Sequence, residues 1–61
     1  IAHVYRALDR LPAAERVAWV LRHVQGETLE QAAALCECSL STYQRRLRRA
    51  CAHLQREVPH D

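Results

Sequence analysis

Pro12, Gly26 and Pro59 are the only proline and glycine residues in this 61-residue chain, and they cut it into helix-length pieces. A proline pushes the residue before it out of the helical region, and a glycine takes the left-handed conformation that ends many helices. Ile1, Val4, Leu8 and Leu11 recur at spacings of three and four, which predicts an amphipathic first helix over about 1–10. Pro12 suits the first turn of a second helix, predicted over 13–25 and stopped by Gly26. Thr28 followed three residues later by Gln31 is a capping-box pattern, opening a short third helix through Cys36. Ala32, Ala33, Leu35 and Cys36 would supply its small apolar contacts. Glu37, Cys38 and Ser39 form a three-residue break. Ser39 is a good N-cap for a fourth helix over about 40–57, with Pro59 beyond its end. No alternating stretch is long enough to argue for a strand. The expected fold class is all-α: a small four-helix domain whose last two helices and their turn form a helix-turn-helix.

Sixty-one residues make one domain, spanning 1–61. So short a chain buries only about 60% of its unfolded surface, which argues against a deep catalytic pocket. At 49% hydrophobic and 26% charged, the composition is that of a folded domain and not of a disordered one. No apolar run approaches a membrane span and no signal-peptide pattern is present, so the chain reads as soluble and cytoplasmic. Ile1 in place of Met at the first position is expected of a fragment of a longer protein. Cys36, Cys38 and Cys51 are odd in number and lack a secretory context, so reduced thiols are expected.

The net charge of +2 would not by itself suggest nucleic acid, but its distribution does. All nine basic residues are Arg, and from Cys38 to Arg56 there are five of them with no Asp or Glu, a local charge of +5. On the fourth helix Tyr43, Leu47, Ala50 and Leu54 share one apolar stripe at about 100° per residue. Opposite it project Ser41, Arg45, Arg48, Arg49, Ala52 and Arg56, with Gln44 and Arg46 on the flanks. An ordinary solvated face mixes signs, whereas this one lacks the acidic partners that i,i+4 pairing uses. In a helix-turn-helix the first helix braces the second, whose N-terminal side chains enter the major groove. Arg bonds guanine O6 and N7 in bidentate fashion, Gln does the same to adenine, and Ser or Thr reaches base edges or phosphates. Ser41, Thr42, Gln44, Arg45, Arg46, Arg48 and Arg49 are therefore the candidate DNA-binding residues.

The stretch from Leu11 to Ala50, LPAAERVAWVLRHVQGETLEQAAALCECSLSTYQRRLRRA, resembles region four of bacterial RNA polymerase sigma factors, especially the small extracytoplasmic-function type. The matching elements are Leu11-Pro12, Arg16, Leu21-Arg22, Gly26, Gln31-Ala32-Ala33 and the run Thr42 to Ala50. The resemblance implies a homeodomain-like or winged-helix-like architecture that recognises the −35 element of a promoter, docks on the β flap of RNA polymerase, and is often masked by an anti-sigma factor. It implies that Gln44, Arg45, Arg48 and Arg49 face the −35 bases and nearby phosphates, while Thr42 and Arg46 hold the backbone. The chain departs from the family pattern at three places. Glu37 stands where the turn usually has Gly, Gln31-Ala32 replaces the usual Glu-Ile, and Tyr43 replaces a β-branched residue.

Val17, Ala18, Trp19, Val20, Leu21 and Val24 make the second helix apolar around more than half its circumference. Either it is buried all round, or Tyr5, Trp19 and Val20 leave an apolar patch for a protein partner, fringed by Arg6, Arg10, Arg16 and Arg22. Asp9 and Glu15 lie close enough in sequence to form ion pairs with those arginines, and Arg16 could also meet a DNA phosphate. Cys36, Cys38, Cys51 and His53 have metal-like spacings, but the thiols fall at positions that are normally apolar and pack as small hydrophobes. No cofactor and no catalytic constellation is expected. The leading reading is a −35-recognition module acting by binding, not chemistry. Its rivals are the helix-turn-helix output domain of another transcriptional regulator and a protein-interaction module whose arginine face meets an acidic partner such as an anti-sigma factor.

Overall fold

The computed structural model describes residues 2–57, with side chains from Tyr5 onward. The expected contributions of Ile1, Val4 and Pro59 therefore lie outside the described residues. Four helices follow one another: α1 (Ala2–Asp9), α2 (Ala13–His23), α3 (Leu29–Leu35) and α4 (Leu40–Glu57). All the described regular structure is helical, as the spacing of breakers and apolar residues requires.

The helix ends follow from local chemistry. Pro12 is not the first helical residue of α2 but its N-cap, at φ −53° and ψ 148°, and its carbonyl accepts from the N–H groups of Glu15 and Arg16. At the far end of α2 the N–H groups of Val24 and Gln25 both reach the Val20 carbonyl, and the Glu27 N–H reaches that of Leu21. Gly26, at φ +73°, makes that reversal, and α2 ends two residues earlier than predicted. Thr28 and Gln31 form the full capping box: the Gln31 N–H donates to Thr28 Oγ1 and the Thr28 N–H to Gln31 Oε1, both at 3.1 Å. Ser39 caps α4 by accepting the Thr42 N–H on its Oγ at 3.1 Å.

Helix α4 is the spine on which the other three pack. Near its C-terminal end Ala50 and Leu54 join Ala7, Leu8 and Leu11 in one buried cluster, against which Trp19 rests. Near its N-terminal end Tyr43 joins Ala18, Ala32 and Ala33 in a second cluster, flanked by Leu21, Leu29, Cys36, Cys38 and Leu47. Tyr43 is wholly buried, and its O–H donates to the Ala18 carbonyl at 2.6 Å, tying α4 to the middle of α2. Alanines at 18, 32 and 33 leave the volume that the phenol ring fills.

Two expectations need correction. Leu35 does not contribute to the core, being 61% exposed. It stands two positions, about 200° of helix, from the buried Ala33, so both cannot face inward. Nor is α2 buried all round, since Val17 and Val24 are about half exposed. Arg10 pairs with Glu57 across the domain at 2.5 Å, and Glu15 faces His53 at 3.7 Å.

The turn between α3 and α4 carries the one positive φ among the described non-glycine residues, +55° at Glu37. There the Glu37 N–H donates to the Ala34 carbonyl and the Cys38 N–H to that of Ala33. A side chain in this region crowds its own carbonyl at a cost of roughly 1–2 kcal/mol. Replacing Glu37 with Gly should therefore stabilise the domain by about 1 kcal/mol, the strain relief less the added freedom of the unfolded chain. Urea denaturation checks this, and an unchanged or lowered midpoint would count against the strained-turn account.

Candidate nucleic-acid interface

The α3–turn–α4 unit is a helix-turn-helix whose second helix presents one charge sign to solvent. The core side of α4 is Tyr43, Leu47, Ala50 and Leu54, of which all but the half-buried Leu47 are buried. That seam turns Ser41, Arg45, Arg48, Arg49, Ala52 and Arg56 outward, all exposed, with Gln44 and Arg46 half-buried on the flanks. The projection made from sequence is reproduced residue by residue. Among the described residues no ion pair engages Arg45, Arg46, Arg48, Arg49 or Arg56, and Glu57 is paired with Arg10. Five guanidinium groups therefore stand on one helix with no described carboxylate to neutralise them.

The N-terminal turn of α4 adds hydroxyls. Ser39 Oγ donates to Thr42 Oγ1 at 3.0 Å while accepting the Thr42 N–H, and it lies 3.4 Å from Ser41 Oγ. Because Thr42 Oγ1 already accepts, its own proton points elsewhere and remains available to an outside acceptor. These donors sit at the positive end of the helix dipole, where anions are favoured.

Cys36 and Cys38 pack beside Tyr43 beneath this surface, and the three cysteines are free and half-buried. Burial pushes the Cys36 thiol above its ordinary range, Cys38 adds to the effect, and the Arg46 guanidinium opposes it. Arg46 itself is half-buried on the flank of α4. Among the described residues no three His, Cys, Asp or Glu side chains gather as a metal site. Cys51 lies on α4, while Cys36 and Cys38 border the turn.

The residues expected to leave an apolar patch for a partner differ in exposure. Tyr5 is 56% exposed, whereas Trp19 and Val20 are half-buried. Trp19 packs onto the α1–α4 cluster and stacks on His23 with ring centroids 4.8 Å apart. Val17, Val20 and Val24 share one stripe of α2, and sequence reasoning did not single out Val17 and Val24 as exposed. Arg22 is drawn off to the Glu27 carbonyl at 3.1 Å, and Arg10 to Glu57 rather than to Asp9. Leu35 and Leu40, flanking the turn, are likewise exposed and were not anticipated. For Leu35 the signal lies in helical phase, two positions from Ala33, whereas Leu40 shares the Tyr43 stripe and is exposed at its N-terminal end.

Burial raises the Tyr43 hydroxyl above its ordinary value, with Cys36 adding to the rise and Arg22 opposing it. In the unfolded chain that hydroxyl ionises near pH 10. Above that value the unfolded state loses a proton that the folded state retains, so stability falls with rising pH until the folded group also ionises. The Tyr43 contribution is complete below about pH 10 and is lost above it. Tyr43→Phe should remove that part of the alkaline decline, with urea midpoints at about pH 9 to 11.5 as the readout. Superimposable profiles for the two proteins would refute the assignment.

Residues 2–54 match the protein family described as Sigma-70, region 4. No curated protein matches the chain. The match spans the first three helices and most of α4, and the four-helix arrangement with its C-terminal helix-turn-helix agrees with it. The chain therefore belongs to the sigma-70 region 4 family, the DNA-binding domain with which sigma factors recognise promoters in transcription initiation.

Proposed function

We propose that this chain recognises the −35 element of promoters through the N-terminal half of α4, and that the sigma factor carrying it is of the extracytoplasmic-function type. The observation that carries the reading is the unneutralised arginine face of α4, held outward by a buried seam. Gln44, Arg45, Arg48 and Arg49 read base edges and adjacent phosphates. Ser41, Thr42 and Arg46 fix the helix on the backbone, Thr42 with its available proton and Arg46 from its flank position. The role is binding without catalysis, and no cofactor takes part. Arginine also suits this work chemically, since its planar fork meets guanine or phosphate with two bonds where lysine offers a point charge.

A second surface serves assembly. Tyr5, Trp19 and Val20, with the exposed Val17 and Val24 beside Val20, form the apolar patch offered to the β flap of RNA polymerase, and an anti-sigma factor would compete for the domain. Such a module acts in the cytoplasm, where polymerase is; among the described residues no helix is long and apolar enough to cross a membrane. DNA binding by the domain alone is weak, and holding it on polymerase raises its effective concentration at the promoter.

Run-off transcription with polymerase and the sigma factor carrying this domain tests the reading. Arg45→Ala or Arg49→Ala should each lower −35-dependent transcription by roughly fivefold or more, the loss of one good base contact. Unaffected transcription in both variants would sink it. Arg46→Ala is expected to behave differently in fluorescence-anisotropy titrations, weakening binding to all sequences alike and reducing the salt slope by about one. A slope equal to that of the parent chain would remove Arg46 from the phosphate contacts.

A further inference from the structure

Tyr43 is the largest side chain with no exposure at all, and it sits on the recognition helix between two residues assigned to DNA, Thr42 and Gln44. Its hydroxyl makes the one buried hydrogen bond between helices among the described residues, to the carbonyl of Ala18, 25 positions away. That carbonyl belongs to the middle of α2, where one lone pair serves the helix ladder and the second is open to an outside donor. The ring is enclosed by three alanines, Ala18, Ala32 and Ala33, each under 5% exposed. Shape therefore fixes where the ring lies, and the hydrogen bond fixes where its tip lies.

A phenol is a long arm from the helix axis. Turning α4 about its own axis, or sliding it along α2, moves the hydroxyl off the Ala18 carbonyl and leaves a buried O–H without a partner. That outcome costs about 1–3 kcal/mol, so the docking has one preferred rotation. Aliphatic contacts from Leu47, Ala50 and Leu54 are non-directional and tolerate small rotations that the hydroxyl does not. Base readout needs placement to within about 0.5 Å and 10–20°, which is the scale that this bond controls.

From this we infer that Tyr43 is a positioning residue for sequence readout. Its hydroxyl sets the rotation and register of α4 on α2, and through the rigid helix it aims Gln44, Arg45, Arg48 and Arg49 at base edges. It contacts no DNA itself. The inference rests on α4 being the DNA-reading helix. It adds that specificity, more than overall affinity, depends on a buried group. Phosphate contacts made by long arginine side chains adjust to a small rotation of the helix, whereas bidentate base contacts do not.

The test is a selection from a pool of random-sequence DNA duplexes, with the bound fraction sequenced and total pool affinity measured at several salt concentrations. Tyr43→Phe keeps the ring and removes the hydroxyl. The paired change Tyr43→Val with Ala32→Ile refills the same space with aliphatic carbon, which keeps the question open should the single variant lose its fold. Arg49→Ala serves as the control for direct readout, and far-UV circular dichroism confirms folding at the selection temperature. The parent chain should enrich a motif. Each folded positioning variant should bind the whole pool with the parental affinity and salt slope, while its motif enrichment falls by roughly fivefold or more.

A purely structural role gives a different result, because a lower folded fraction weakens all sequences alike and leaves enrichment intact. Parental enrichment in either folded variant overturns the inference, whatever its melting temperature. If enrichment survives in Arg49→Ala but falls in Tyr43→Phe, the positioning role stands and Arg49 loses its base contact. If the parent chain enriches no motif, promoter reading by α4 fails and the inference fails with it.

Discussion

The burial of Tyr43 between α2 and α3, tied by its hydroxyl to the Ala18 carbonyl, is the contact on which the rest of this domain depends. It decides which side of α4 faces the core and therefore which side faces out. With the phenol inside, Leu47, Ala50 and Leu54 follow along the same stripe, and the arginines have no position left but solvent. The hydrogen bond itself contributes only about 1 kcal/mol net, but breaking it strands a buried polar group, and that asymmetry gives it influence over geometry. Small residues opposite it are part of the same device, since a larger side chain at 18, 32 or 33 would leave the ring no room.

Electrostatics then follow from placement and not from quantity. The chain carries only +2 overall, yet its charge is +5 between Cys38 and Arg56 and negative on both sides of that stretch. Glu57, the acidic residue of α4 itself, is paired with Arg10. That pair lies at the end of α4 remote from the turn, and among the described residues no ion pair engages the arginines of its N-terminal half. A helix with five guanidinium groups on one face repels itself, a cost that the proposed phosphate contacts would relieve.

Much of this was legible in the sequence. Pro12 and Gly26 placed two of the breaks, the Thr28–Gln31 box and Ser39 placed two helix starts, and the three-and-four spacing of Tyr43, Leu47, Ala50 and Leu54 oriented α4 correctly. What sequence could not supply is pairwise and three-dimensional. Periodicity places Tyr43 inside but cannot show that its hydroxyl meets a carbonyl 25 residues away. Composition makes α2 apolar but does not say that Val17 and Val24 stay exposed while Trp19 turns inward onto α1 and α4. Leu35 looked like core because Leu usually is, and only its phase relative to Ala33 reveals that a seven-residue helix has no second inner face for it. Glu37 shows the reverse case. The resemblance marked it as a position where the turn usually has Gly, and its backbone is left-handed.

The central claim is that one face of one helix meets promoter DNA while a second surface of the domain stays free for polymerase. Nuclear magnetic resonance of the isotope-labelled chain, titrated with a duplex recovered by selection, maps that contact most directly. The account predicts that the perturbed resonances are the amides from Ser39 to Arg49 and the guanidinium groups of Arg45, Arg46, Arg48 and Arg49, with Tyr5, Val17 and Val24 unmoved. Perturbation centred on α1 and α2, with the arginine side chains of α4 unchanged, would contradict it.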